Sequence, residues 1–156
     1  VFEVSRRLKW TLISAAAVVA IAIIIGITSI VLFSGDNTTA EASEENYDTD
    51  TDVIISAVLP ELEKAVDTFE STDPMIGQEL VEMSVLQMMS AFKTMDIELQ
   101  AIKAPNESDH GKLLEIVRAG KSECGKLSKE YESGNFEADS TPCLDAVAEL
   151  KRFSEK

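Results

Sequence analysis

Hydrophobic positions follow two regimes along this chain. From Leu12 to Phe33 they are nearly continuous, broken only by Ser14, Thr28 and Ser29, and no charged residue stands between Trp10 and Gly35. At about 1.5 Å per residue, roughly 20 such residues cross a hydrocarbon layer of about 30 Å. Residues 10–35 are therefore predicted to form a single transmembrane helix. The run is longer than the roughly 7–15 apolar residues of a cleavable signal, and "LFSGDNTT" makes a poor cleavage boundary.

Beyond residue 52 the apolar positions recur every three or four residues, the period of helices with one buried face. The first helix is expected from about Asp52 to Glu70, with Ile54, Val58, Leu62, Ala65 and Phe69 on its stripe and a kink or restart at Pro60. In "STDP", Asp73 is placed to cap a second helix with Pro74 at its first position, and Pro105 ends that helix after Ala104. A third helix carries Leu113, Ile116, Val117, Gly120, Cys124, Leu127 and Tyr131 on one face and stops at Gly134. The fourth starts at Pro142 and buries Cys143, Val147, Leu150 and Phe153. Short connections make sequential helices antiparallel, so residues 52–156 are predicted to be an all-α, antiparallel four-helix bundle. Residues 36–51, acidic and without hydrophobic period, are predicted to be a linker.

Charge orients this arrangement. Arg6, Arg7 and Lys9 precede the apolar run, whereas no Lys or Arg follows it until Lys64. An excess of Lys and Arg marks the cytoplasmic side, so residues 1–9 are expected inside the cell and the bundle outside the plasma membrane. The chain has 28 acidic and 14 basic residues; only Glu3 and the three cations precede residue 36, leaving 27 acids against 11 Lys and Arg beyond it, near −16. Such a surface repels nucleic acid and favours cationic partners, a basic extracytoplasmic protein among them.

The outside location bears on the two cysteines, Cys124 and Cys143, because disulfides form and persist there. Neither belongs to a CxxC motif, so the bridge is structural, worth about 3 kcal/mol for a loop of about 20 residues. It also requires residues 134–142 to run back along the third helix, since bonded cysteines need Cα atoms within about 7 Å.

Catalytic groups are sparse. One histidine, His110, stands beside a helix start, where a surface role is expected; no triad, zinc set or glycine-rich phosphate loop can be assembled around it. No enzyme, cofactor or resident metal is expected. The methionines pose the remaining question, because all five lie between Met75 and Met95. Projected at 100° per residue, Met88 and Met95 join Val81, Phe92, Leu99 and Ile102 on the inward stripe of the second helix, and Met89 lies at its margin. Met75, Met83 and Leu86 point the other way, making them candidate partner contacts. Thioethers suit Cu(I), which gives an alternative reading as a copper- or ligand-binding sensor domain. Met83 and Met89 are about 240° apart around the helix, an unfavourable spread for one ion. Within the predicted span, Ala15, Ala22, Gly26 and Ser29 share a small-residue face suited to packing against another transmembrane helix.

The stretch "APNESDHGKLLEIVRAGKSECGKLSKEYESG", following a long amphipathic helix, resembles the helical extracytoplasmic domains of small single-span envelope proteins of high-GC Gram-positive bacteria. These include accessory subunits of respiratory supercomplexes. The resemblance covers residues 52–156 and rests on the turn from Pro105 to His110 and on helical periodicity. It implies a structural subunit and carries over no functional residue. The expected function is a non-enzymatic, membrane-anchored accessory or scaffolding subunit that docks on the outer face of a larger membrane protein complex.

Overall fold

The computed structural model describes residues 44–102 and 107–156; the predicted transmembrane helix at 10–35, its small-residue face and the first part of the linker lie outside the described residues. The described chain is all-α, with four helices: α1 (Glu44–Ser71), α2 (Gln78–Ala101), α3 (Glu107–Glu132) and α4 (Thr141–Ser154). Among the described residues, no helix is long and apolar enough to cross a membrane.

α1 begins eight residues earlier than its hydrophobic stripe suggests, inside the stretch read as linker. Two effects extend it. Acidic side chains such as Asp48 complement the positive end of a helix, so the charge that reads as linker also favours a helix start. Tyr47 and Thr51 then tie the first turns to the domain: Thr51 is buried, and the Tyr47 ring meets that of His110 edge-on at 5.4 Å. Pro60 neither ends nor restarts α1. It sits on the exposed side, and Ser56, whose carbonyl loses its helical partner, is exposed too, so water can satisfy that oxygen.

The turn before α2 also departs from expectation. Asp73 does cap, its Oδ1 accepting from the Met75 amide at 2.8 Å, but the turn it starts closes at once, with the Gly77 amide donating to the Asp73 carbonyl at 2.8 Å. α2 proper starts at Gln78, with Gly77 as its N-cap residue. The chain folds back so tightly that a Cβ on Gly77 would overlap Cγ2 of Thr72, so a larger residue there would have to displace that side chain.

α3 buries the residues its period singles out, with Leu113, Val117 and Cys124 fully inaccessible. It ends where Gly134 adopts a φ of +88°, allowing the Asn135 amide to reach back to the Glu130 carbonyl at 2.9 Å. Phe136 then lies against Tyr131, ring centres 5.1 Å apart, as the connection returns along α3. Asp139 Oδ1 accepts from the Thr141 amide at 3.0 Å, and α4 opens with Pro142 in its first turn. The return places Cys143 beside Cys124, disulfide-bonded with Cα atoms 4.7 Å apart.

Side-chain pairs set the relative directions. Phe92 lies against Gly120 and Met89 against Gly125, so α2 and α3 are antiparallel. Aromatic pairs bind α1 to α3 near both ends, Tyr47 with His110 and Phe69 stacked on Tyr131 at 6.3 Å, so those two helices run in the same direction. α4 packs on α3 and on α1, where Lys151 pairs with Glu63 at 2.6 Å, and this closes the ring of helices. The core between them is Ile54, Leu62, Val85, Met88, Phe92, Met95, Leu99, Val117 and Leu150.

Gly120 is the closest approach in that core. A Cβ there would lie 2.4 to 2.6 Å from three atoms of the Phe92 ring, and the ring, fully buried, has nowhere to move. Gly120→Ala is therefore expected to destabilise the domain by about 1–3 kcal/mol in denaturant unfolding, and Phe92→Leu in the same chain to recover part of that loss. Additive effects of the two changes would show that the contact is not the cause.

Candidate functional site

The α1–α2 corner and the start of α2 leave apolar side chains outside the core. Met75 is 83 % exposed and Ile76 87 %, both on the turn, followed by Leu80 at 52 % and Met83 at 38 % on the helix. Leu80 and Met83 are one turn apart and share a face. Of the three residues singled out by projection, Met83 faces outward as expected. Met75 is exposed for a different reason, because it belongs to the turn and not to the helix, and Leu86 is only half-buried. Ile76 and Leu80 were missed. Leu80 had a legible signal in its spacing of three before Met83, but Ile76 had none, since its exposure follows from the break at Gly77. Ile97 on α2 and Val53 on α1 are also exposed, away from this corner.

The chain around this corner is acidic. Between Lys64 and Lys93 there is no Lys, Arg or His, while Asp67, Glu70, Asp73, Glu79 and Glu82 all fall in that interval. Asp67, Glu70, Asp73 and Glu79 are exposed and Glu82 is half-buried. The exposed apolar side chains of this corner, two of them methionines, thus lie in a stretch of chain whose only charges are carboxylates.

The other methionines lie elsewhere. Met88 and Met95 have no accessible surface, and Met89 directs its sulfur toward α3, 3.7 Å from where a Cβ of Gly125 would be. The sulfur atoms are therefore divided between the core, the α2–α3 seam and the outer face. Among the described residues, no group of three or more His, Cys, Asp and Glu is arranged to hold a metal ion.

Two buried carboxylates sit near the end of α2. Asp96, with a side chain 7 % exposed, is bonded by Gln100 Nε2 at 2.7 Å, by Arg118 Nε at 3.2 Å and by Lys121 Nζ. Burial alone would push its carboxyl up, but the donors from Lys121, Gln100 and Arg118 together outweigh burial and hold it below its ordinary value. Glu98 has no such donors, and burial pushes its carboxyl up. His110, expected on the surface, is instead half-buried with Nδ1 bonded to Tyr47 Oη at 3.0 Å. Its imidazole is held below its ordinary value, by burial first and by the Arg118 charge second. These groups have structural explanations: Asp96 joins α2 to α3, and His110 holds the start of α1.

Compared with known protein families, with curated proteins and with solved structures, the chain matches none.

The carboxylates generate opposite pH responses. Because Asp96 titrates below its ordinary value of 3.8 in the folded chain, its contribution is fully present above that value and is lost as pH falls through the lowered one. Asp96→Asn is expected to cost about 1–3 kcal/mol at neutral pH, a gap that closes on acidification. Glu98, raised above 4.5, works the other way: its burial becomes unfavourable as pH rises through the raised value, so Glu98→Gln is expected to stabilise the domain at neutral pH and not in acid. Urea unfolding of both variants across the acid range checks the two signs.

Proposed function

We propose that this chain is a membrane-anchored accessory subunit without catalytic chemistry of its own, whose helical domain lies outside the plasma membrane and docks on a larger membrane protein complex. The observation that carries the reading is the apolar corner of Met75, Ile76, Leu80 and Met83 on an otherwise acidic domain, since contiguous exposed apolar surface marks contact sites. The uncharged run from Trp10 to Gly35 supports the anchor, and Arg6, Arg7 and Lys9 before it support a cytoplasmic N-terminus. On this reading Ala15, Ala22, Gly26 and Ser29 pack the anchor against a subunit of the same complex. The resemblance to accessory subunits of respiratory supercomplexes makes such a complex the first to test.

Two measurements check the proposal. Alkaline carbonate extraction of native membranes is expected to leave the chain in the pellet, and its release into the supernatant would rule out a transmembrane anchor. Extraction in mild detergent followed by native mass spectrometry is expected to recover the chain with other membrane subunits. Recovery as a solitary monomer would sink the subunit reading.

A further inference from the structure

We infer that the corner formed by Met75, Ile76, Leu80 and Met83 is a receptor for a cationic amphipathic helix of a partner protein. The inference rests, for its biological setting, on the docking reading above, and it names the chemistry of what docks.

Charge selects the occupant. The 28 residues between Lys64 and Lys93 contain five acids and no cation; Asp67 acts on Lys151 of α4, and Glu70, Asp73, Glu79 and Glu82 are the acids nearest in sequence to the apolar side chains that a partner would cover. A second copy would set the same acidic border against itself, at a chain net charge of −14. An anionic membrane surface meets the same repulsion. A segment with Lys or Arg flanking an apolar stripe replaces that repulsion with attraction.

Shape selects a helix. Among the described residues there are helices and turns and no strand, so none of them offers a sheet edge to which an extended peptide could add. Leu80 and Met83 present one turn of outward ridge on α2, extended by Ile76 and Met75 on the preceding turn. A partner helix lays anchors at spacings of three and four against such a surface. Two of the four side chains are methionine, unbranched and soft, which adapts the surface to different anchor side chains.

Position adds a constraint. α1 is 28 residues long, so the corner lies about 40 Å along the bundle from Glu44, where the helix begins. The receptor is thus at the end of the bundle remote from the start of α1. The partner helix belongs to something that reaches that end.

The full chain in nanodiscs of phosphatidylcholine, with protein-free nanodiscs as the blank, tests this against three fluorescent peptides of equal length. One is a Lys/Leu amphipathic helix, one has the same composition in scrambled order, and one has Glu in place of Lys. The Lys/Leu helix is expected to bind in preference to both others and to lose about tenfold or more in affinity with Leu80→Glu and Met83→Glu combined. Glu79→Gln with Glu82→Gln, which leaves the apolar surface intact, is expected to weaken binding less and to flatten its salt dependence. Equal binding of the scrambled or acidic peptide overturns the inference, as does unchanged affinity in the Leu80/Met83 variant. Dimerisation of the chain that Leu80→Glu abolishes would assign the corner to a second copy and overturn it as well. A chain that binds the Lys/Leu helix selectively yet leaves native membranes as a monomer contradicts the subunit reading and not this one. Co-purification with unselective peptide binding contradicts this one alone.

Discussion

The contact of Gly120 with the Phe92 ring sets how closely α2 and α3 can approach, and most of the architecture follows from it. With no Cβ on α3 at that point, a fully buried aromatic ring fits between the helices, fixing both their register and the rotation of α2 about its axis. The same register brings Asp96 within reach of Arg118 and Lys121, and directs Met88, Met95 and Leu99 inward. What remains on the outside of α2 is determined by the same rotation. Leu80 and Met83 are outward because Val81, Val85 and Met88 are inward.

The disulfide and the aromatic pairs complete the frame. Cys124 and Cys143 hold α4 to α3, while Tyr47 with His110 and Phe69 with Tyr131 secure α1 near both ends. Because α1 is held along its length, its turn into α2 has little freedom to bury the corner. Asp73 and Gly77 instead make a single tight turn that leaves Met75 and Ile76 in solvent.

Much of this was legible in the residues, and the misses have identifiable causes. Periodicity located the buried faces of all four helices, because burial imposes the helical period on α3 and α4 with few exceptions, and the pairing of the cysteines followed from there being only two of them in this part of the chain. The start of α1 was hidden because acidic residues favour a helix N-terminus as readily as a solvated linker. The break at Gly77 was hidden because it is made by hydrogen bonds to Asp73, a local turn that hydrophobic pattern does not encode. For the same reason projection found Met83 but not Ile76. His110 read as a surface residue since its partner, Tyr47, is 63 positions away.

These features combine into an acidic helical domain that leaves Met75, Ile76, Leu80 and Met83 exposed at the α1–α2 corner. On the docking proposed above, a partner covers that corner in the native assembly. Oxidative footprinting of Met75 and Met83 in intact native membranes, beside the same chain purified alone, tests it most directly, with buried Met88 as the internal reference. Met75 and Met83 are expected to oxidise readily in the purified chain and to be protected in the membrane. Equal oxidation in both settings would contradict it.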